Sequence, residues 1–150
     1  MDRLVDVHCH VHHEDFDDDR DAIYGIRREV FVIEQAVPEE IEIDEFDARA
    51  RHVLAWVGGQ PVGTGRITAE NQLGRIGRMA VLRDWRGRGV GRAILEALVA
   101  EGSGMGLERL VLSAQCHAIP FYEKSGFEAE GPVYEEAGID HRRMEWRRRA

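Results

Sequence analysis

Apolar and polar residues alternate over residues 4–11, near the start of the chain. Val5, Val7, Cys9 and Val11 share one face of this pattern, which is typical of an amphipathic strand. The spacing then changes to that of a helix, whose early carboxylates favour its positive end. Those aspartates are at positions 15, 17, 18, 19 and 21, and the apolar positions that follow are Ala22, Ile23, Ile26, Val30 and Ile33. Pro38 predicts that this helix ends near Gln35.

Three strand patterns occupy the middle of the chain. Residues 52–57 and 60–68 flank Gly58-Gly59, a two-residue turn signal that predicts a hairpin. Asn71-Gln72 predicts a second turn, after which a strand over residues 73–82 leads into a glycine-rich segment. We therefore expect three antiparallel strands before the glycines.

The second half of the chain alternates helix and strand. An amphipathic helix follows the glycines, a loose connection is expected over residues 102–106, and residues 108–114 predict another strand. The crossover through the helix makes that strand parallel to the one before the glycines. A final strand is expected around Met144 and Trp146, within a basic tail. The pattern predicts an α+β fold, an α/β/α sandwich on a mixed, mostly antiparallel, twisted sheet of six or seven strands. We expect a single domain over residues 1–150.

Composition favours a folded protein and argues against several functional classes. The chain has 150 residues, of which 43% are hydrophobic and 32% charged, so a packed core is expected. A net charge of −8 argues against non-specific nucleic-acid binding. Two cysteines, Cys9 and Cys116, form no disulfide framework or zinc motif, which indicates a reducing, cytoplasmic location. No signal peptide and no membrane-spanning segment are expected.

Two polar segments admit both a functional and a structural interpretation. His8, His10 and His12 would share one face of the first strand, with His13 beside them, so they form either a metal site or a solvated face. Residues 39–47 carry six carboxylates alternating with isoleucines. This acidic segment is either a solvated loop or a rim that attracts a cationic acceptor.

The strongest chemical signal is the glycine-rich segment between a strand and a helix. Gly87, Gly89 and Gly91 allow the backbone to approach a ligand closely, and the first amides of the following helix lack internal partners. Together they form a candidate anion site, with arginines at positions 83, 86, 88 and 92 beside it. The spacing fits neither the dinucleotide fingerprint Gly-x-Gly-x-x-Gly nor a Walker A loop, which needs Gly-Lys followed by Ser or Thr. A phosphate-bearing ligand of another kind is indicated.

Arg86-x-x-Gly89-x-Gly91 resembles motif A of the GNAT N-acetyltransferases, which holds the pyrophosphate of acetyl-CoA. Downstream, the run Ala114-Gln115-Cys116-His117-Ala118-Ile119-Pro120-Phe121-Tyr122-Glu123-Lys124-Ser125-Gly126-Phe127 resembles motif B of the same family, in which we expect Pro120 in the first turn of a short helix and Gly126 at its end. Val30-Phe31-Val32-Ile33-Glu34-Gln35 is similar to the end of the first helix in the ElaA-like branch, where it lines the acceptor side.

The resemblance implies an acyl-CoA N-acyltransferase fold and an acetyl-CoA-dependent N-acetyltransferase without a metal. The residues expected to bind acetyl-CoA are Met79, Ala80, Val81, Arg86, Gly87, Arg88, Gly89, Val90, Gly91, Arg92, Gln115, Ala118 and Phe121. A gap between the strands at 79–82 and 108–114 would admit the pantetheine arm. Tyr122 would donate a proton to the departing sulfur. Gln115 stands where the wider family often has Asn.

The general base that deprotonates the acceptor is left open by the sequence. The candidates are Glu34, Glu42, Asp44, Asp47 and His52, of which the histidine needs no environmental shift to work near neutral pH. The expected acceptor is the primary amine of a small molecule, acetylated directly in a ternary complex, because neither cysteine is placed to carry an acetyl group. The alternatives are a protein lysine or N-terminal acetyltransferase and a non-catalytic acyl-CoA sensor. A homodimer is also open, whereas no nucleic-acid or membrane partner is expected.

Overall fold

The computed structural model describes residues 4–12 and 19–149, which form a sheet with helices on both faces. The first half contains β1 (His8–His12), α1 (Arg20–Arg27), a π-helix (Arg28–Glu34), α2 (Glu39–Glu42), a 3₁₀ turn (Asp47–Arg49), β2 (Arg51–Val57), β3 (Gln60–Glu70) and β4 (Leu73–Val81). The second half contains a 3₁₀ turn (Arg83–Trp85), α3 (Val90–Gly104), β5 (Arg109–Gln115), a 3₁₀ turn (Cys116–Ala118), α4 (Ile119–Glu123), β6 (Glu128–Glu136) and β7 (Ile139–Arg147). Within the described ranges, no helix has the length and apolar character needed to cross a bilayer.

The sheet has seven strands in the order β1-β2-β3-β4-β5-β7-β6. Every neighbouring pair is antiparallel except β4 and β5, which are parallel across the α3 crossover. The prediction of a mixed, mostly antiparallel sheet of six or seven strands is confirmed, as is the predicted parallel pair. The sequence gives no strand pattern for β6, because its exposed side chains show little hydrophobic periodicity.

Three two-residue turns set the register of the hairpins. Gly58 and Gly59 have positive φ angles and connect Val57 to its partner Gln60, as the sequence predicts. Asn71 and Gln72 also have positive φ and connect β3 to β4. A third turn of the same kind, at Ala137 and Gly138, joins β6 to β7.

The two faces of the sheet carry separate cores. On one face, α3 and α4 pack against strand residues; this core contains Val53, Ile67, Ile94, Leu98, Leu110, Phe127 and Met144. On the other face, the first helical segment packs against β2 and β4; this core contains Ile23, Ile26, Val30, Leu54 and Ala80. Successive residues of one strand are therefore buried in opposite cores, as Val53 and Leu54 are.

Two predicted boundaries are corrected by the structure. The first helix does reach Glu34, but its second half is a π-helix from Arg28, with a wider turn than the α-helix that the spacing predicts. The aspartates at positions 15, 17 and 18 lie outside the described residues. The loose connection expected over residues 102–106 was wrong at its start, because α3 continues through Gly104. Gly102 is buried within that helix, against Ile67 and Leu110.

Gly102 and Gly104 offer a matched test of this packing. A Cβ at Gly102 would lie 2.8 Å from Leu110 Cδ2 and 3.0 Å from Ile67 Cδ1, whereas a Cβ at Gly104 would meet nothing within 4 Å. Gly102→Ala should lower the free energy of unfolding by about 1–3 kcal/mol because it overpacks the core. Gly104→Ala should leave it unchanged or raise it by up to about 1 kcal/mol, because alanine loses less entropy in a helix. Urea unfolding of both variants measures the difference, and equal stabilities would contradict this account.

Candidate active site

The centre of the sheet opens where β4 and β5 stop pairing. The parallel register joins Leu73 to Arg109, Gly74 to Leu110 and Arg75 to Val111, and ends there. Both strands nevertheless continue, to Val81 and Gln115 respectively. Their carboxyl halves are therefore two neighbouring strand segments without mutual hydrogen bonds. The gap predicted at 79–82 and 108–114 is present, but on β5 it begins only after Val111.

A β-bulge turns the end of β4 at the same point. In the ladder with β3, Thr64 pairs with Ala80 and Arg66 with Gly77, so two β4 residues lie opposite the single residue Gly65. One of these two is Arg78, whose φ of 50° lies in the left-handed region that a non-glycine residue seldom adopts. The bulge re-aims the backbone of the segment that ends in Met79, Ala80 and Val81.

The glycine-rich segment forms a turn from the end of β4 into α3. Gly87 and Gly89 have φ angles of 72° and 91°, and Gly89 is the residue immediately before the helix begins at Val90. At Gly91 an added Cβ would lie 3.4 Å from the Phe121 ring, so the helix start packs closely against α4. The first amides of α3 point out of the turn and lack partners within the helix, which makes this end of the gap suited to an anion.

The N-terminal segment runs beside this turn. The Val5 amide donates to the Arg88 carbonyl over 3.1 Å, and a Cβ at Gly89 would lie 3.1 Å from Leu4 Cδ2. Glycine is therefore favoured at position 89 for two reasons, the positive φ and the close approach of the N-terminal chain.

Tyr122 lies across the gap from the bulge. It belongs to α4, which has Pro120 in its first turn and is closed by Gly126 with a φ of 92°, as expected. Its hydroxyl lies 4.0 Å from Met79 Sδ. Burial raises the pKa of the Tyr122 hydroxyl to about 12, so the phenol keeps its proton at neutral pH. It is therefore placed as a proton donor beside the unpaired strands.

The tip of β5 connects the two sides of the gap. Gln115 Nε2 donates to Gln35 Oε1, at the end of the first helical segment, over 3.3 Å. Its own Oε1 accepts from His117 Nε2 at 2.8 Å. Gln115 and Gln35 thus face each other over the open end of the sheet.

Comparison with known proteins identifies the family. Residues 13–148 match the family model described as an acetyltransferase (GNAT) domain. The chain belongs to the GNAT acetyltransferase family.

Individual relatives agree with this. The N-acetyltransferase YjcF of Bacillus subtilis is 40% identical over 126 residues, covering 83% of this chain and 89% of YjcF. Protein ElaA of Escherichia coli is 34% identical over 125 residues, 80% of this chain and 82% of ElaA. The crystal structure of Escherichia coli ElaA superposes with a TM-score of 0.85 at 28% identity, over 94% of this chain and 99% of that one. An acyl-CoA N-acyltransferase from Pseudomonas aeruginosa gives the same TM-score at 29% identity, with the same coverage. The predicted acyl-CoA N-acyltransferase fold and the ElaA-like resemblance are confirmed.

In this acetyltransferase the arginines of the glycine turn are not all directed at an anion. The Arg86 Nε donates to the Val81 carbonyl, and its two terminal nitrogens bind the Glu34 carboxylate at 2.6 and 2.7 Å. Arg88 lies over the Trp85 ring, 4.7 Å from its centroid, and Arg92 binds Glu96 one helical turn further along. Arg86 therefore joins the end of β4 to the first helical segment rather than standing free beside the turn.

The acidic segment at 39–47 is only partly solvated, since Glu39, Glu40 and Glu45 are exposed whereas its other three carboxylates face inward. It folds back so that three of its carboxylates meet three arginines. These six residues form the charge cluster: Glu42, Asp44, Asp47, Arg27, Arg66 and Arg78. Arg27 binds Glu42 at 2.5 Å and Asp47 at 2.7 Å, and Arg66 binds both Asp44 and Asp47 at 2.7 Å. Arg78 donates to the carbonyls of Ile41 and Glu42 and to Asp44. Three positive and three negative side chains thus neutralise one another beneath the bulge.

The general-base candidates named from the sequence are each held by neighbouring groups. The Arg86 hydrogen bonds hold the pKa of the Glu34 carboxyl below its usual range. Glu42 and Asp47 are buried against Arg27, and Asp44 is engaged by two arginines. His52 is only 1% exposed, its Nε2 donates to the Asp47 carbonyl at 2.9 Å, and burial lowers its pKa. Glu34 and His52 therefore each have a structural partner in the folded protein, and their role as general base stays a prediction.

The sequence analysis missed a polar group on β5, β6 and β7. Ser113, Tyr134, Glu136 and His141 lie together on the face of these strands that α3 and α4 do not cover. They are separated by up to 28 positions in the chain and are brought together only by strand pairing. The sole signal in the sequence was the turn at Ala137-Gly138, which fixes the register of β6 and β7.

The histidines of β1 do not combine into a metal centre in the described part of the chain. His12 Nε2 lies 2.9 Å from the Asp19 carboxylate, and the His8 ring faces Asp6 at 3.4 Å. Within residues 4–12 and 19–149, no three His, Cys, Asp or Glu side chains are grouped to hold a metal ion. His13 lies outside the described residues.

The charge cluster predicts a specific pH dependence of stability. Burial opposes ionisation of Asp47, but hydrogen bonds from Arg27 and Arg66 outweigh it and leave its pKa lowered, and the pKa of Asp44 is lowered by the same balance with Arg66 and Arg78. The stabilisation is therefore complete above the unfolded-state pKa of about 3.9 and is lost as the pH falls through the folded values. Asp47→Asn should lower the free energy of unfolding at pH 7 by about 3–5 kcal/mol, because it leaves buried arginines without a negative partner. It should also reduce the further loss of stability as the pH falls, which is the acid limb of the stability profile.

Urea unfolding between pH 7 and pH 3 measures both effects. Asp84→Asn, at an exposed position, serves as the control and should retain the wild-type profile. An unchanged acid limb in Asp47→Asn would contradict the assignment of the acid sensitivity to this cluster.

Proposed function

We propose that this N-acetyltransferase moves an acetyl group from acetyl-CoA to the primary amine of a small molecule, by direct transfer in a ternary complex. The observation that carries the proposal is the unpaired stretch of β4 and β5, with the glycine turn at one end and Tyr122 across it. Such a gap accommodates an extended thioester arm, while the turn supplies amides for its diphosphate.

Different parts of the proposed site bind the diphosphate, the pantetheine arm and the thioester. The glycine turn and the start of α3 bind the diphosphate, and Met79, Ala80 and Val81 present backbone groups along the arm. Gln115, Ala118 and Phe121 line the other side of the gap. A backbone N–H at the bulge, aimed at the thioester oxygen, would stabilise the charge that develops there. Holding donor and acceptor in one site replaces a bimolecular encounter by a positioned reaction.

Tyr122 completes the reaction by protonating the sulfur as the carbon–sulfur bond breaks. Its raised pKa keeps the phenol protonated at neutral pH, so a proton is present where the thiolate would form. Direct transfer needs no covalent acetyl carrier, and both Cys9 and Cys116 are free thiols. The cytoplasmic location suggested by two free thiols, the single domain over residues 1–150 and a homodimer remain predictions.

Release of coenzyme A thiol tests the reaction as a whole. Purified protein mixed with acetyl-CoA and a panel of small amines should release thiol at a rate that depends on the amine. Binding of coenzyme A without release for any amine would favour the non-catalytic sensor instead. Release only with peptides bearing free lysines or N-termini would favour the protein acetyltransferase.

Gly89→Ala should weaken coenzyme A binding about tenfold. Alanine in the left-handed region costs about 1–2 kcal/mol, and the added methyl group meets Leu4 beside the diphosphate site. Gly106→Ala is the matched control, because Gly106 has a similar φ of 81° with nothing within 4 Å of an added Cβ. Calorimetric titration with coenzyme A measures both, and equal affinities in the two variants would count against the glycine turn as the diphosphate site.

Tyr122→Phe should lower kcat while the affinity for acetyl-CoA stays unchanged. The loss should be up to about a hundredfold, the low end for a general acid, because a thiolate is already a fair leaving group. Steady-state kinetics and calorimetry separate the two quantities. An unchanged kcat would remove Tyr122 from the role of proton donor.

A further inference from the structure

His141 stands out among the polar residues on β5, β6 and β7 because its environment defines which nitrogen carries the hydrogen. Its Nδ1 lies 2.7 Å from the Ile139 carbonyl oxygen. A carbonyl can only accept, so Nδ1 holds the hydrogen and the neutral ring has its lone pair on Nε2. That lone pair faces Glu136, whose Oε2 lies 3.6 Å away.

Neighbouring side chains hold the ring and the carboxylate in this geometry. The His141 ring stacks on Tyr134, with 6.1 Å between centroids and 19° between planes. The Tyr134 hydroxyl contacts Ser113 Oγ, which also donates to Glu136 at 3.3 Å. Other charged side chains lie at neighbouring strand positions. Arg143 pairs with Glu130 and Glu145, Arg142 donates to the Gly131 carbonyl, and Asp140 lies opposite Glu135 on the alternate face.

The strand register brings this group to the open end of the sheet. His141 is the direct cross-strand partner of Gln115, so both side chains lie on the same face. Gln115 in turn binds Gln35 across the gap. His141 therefore lies next to the unpaired tip of β5, whereas the carboxylates expected as bases are all held by arginines.

We propose that His141 Nε2 takes the proton from the acceptor ammonium and that the Glu136 carboxylate attracts that ammonium and stabilises the imidazolium. This deepens the proposed function and rests on it. It assigns a cationic amine, protonated when it arrives, as the substrate class. Glu136 suits the attracting role because it is 59% exposed and carries no arginine partner in the described residues.

The proton balance is complete without a further reactant. The ammonium transfers one proton to His141 Nε2, which frees the nitrogen lone pair. That lone pair forms the carbon–nitrogen bond, the carbon–sulfur bond breaks, and its electron pair leaves on sulfur. Sulfur takes the Tyr122 proton, the second proton on the new amide nitrogen returns to the tyrosine oxygen, and the imidazolium releases its proton to water.

Two amines of the same shape but different basicity test the proposal. Phenethylamine is protonated at neutral pH, whereas its isostere O-benzylhydroxylamine is neutral and needs no base. The decisive variant is His141→Asn, whose amide can still donate to the Ile139 carbonyl but offers no basic nitrogen. We expect kcat/KM for phenethylamine to fall about a hundredfold or more and that for O-benzylhydroxylamine to fall less than about threefold. Coenzyme A affinity, measured by calorimetry, should stay unchanged.

Glu136→Gln gives a second measurement at an exposed position where folding is not at risk. It should raise KM for phenethylamine and leave KM for O-benzylhydroxylamine unchanged. Glu135→Gln, on the opposite face of the same strand, is the matched control and should change neither value. Equal losses for both amines in His141→Asn, or no loss, would overturn the proposal while leaving the proposed function intact. Wild-type protein that binds coenzyme A but acetylates neither amine would overturn the proposed function as well.

Discussion

Two parallel strands can receive an extended ligand between them only where their mutual hydrogen bonds have stopped. In this protein that condition is met at the centre of the sheet, because β4 and β5 pair over three residues each and then continue unpaired. The residues of the proposed site are arranged around this interruption. The glycine turn lies at one end, Tyr122 reaches across it, and the tips of β5 and the first helical segment meet at its open end.

The interruption needs support, since unpaired strand ends carry unsatisfied backbone groups and a strained residue. The charge cluster supplies it. Arg78 adopts a left-handed conformation within the bulge, and its guanidinium is held by two carbonyls and a carboxylate of the folded acidic segment. Arg27 and Arg66 keep those carboxylates in place. The acidic segment thus supports the site through the backbone of β4, and three of its carboxylates, those of Glu42, Asp44 and Asp47, are held by arginines.

The same engagement of charge explains how an acidic protein can present both an anion site and a cation site. Most of the carboxylates near the gap are neutralised by arginines, including Glu34 by Arg86. A carboxylate without such a partner, as at Glu136, retains its attraction for a cation. In the proposed reaction the two substrates would meet different electrostatic fields, those of amide dipoles at the glycine turn and of a negative side chain beside β7.

Local patterns in the sequence were sufficient for much of this architecture. Turns at Gly58-Gly59 and Asn71-Gln72, the glycine turn before α3 and the short helix bearing Tyr122 all depend on residues adjacent in the chain. Contacts between distant residues were beyond such patterns. The residues adjacent to Asp47 in the sequence do not show that its carboxylate is buried against Arg27 rather than solvated. The residues adjacent to His141 likewise do not show that it lies opposite Gln115. Periodicity reports which face of an element is buried, whereas the partner of a charged side chain is decided by how the elements pack. The strand order and the folding back of the acidic segment therefore determined the roles of the charged residues, and the sequence by itself determined the elements that carry them.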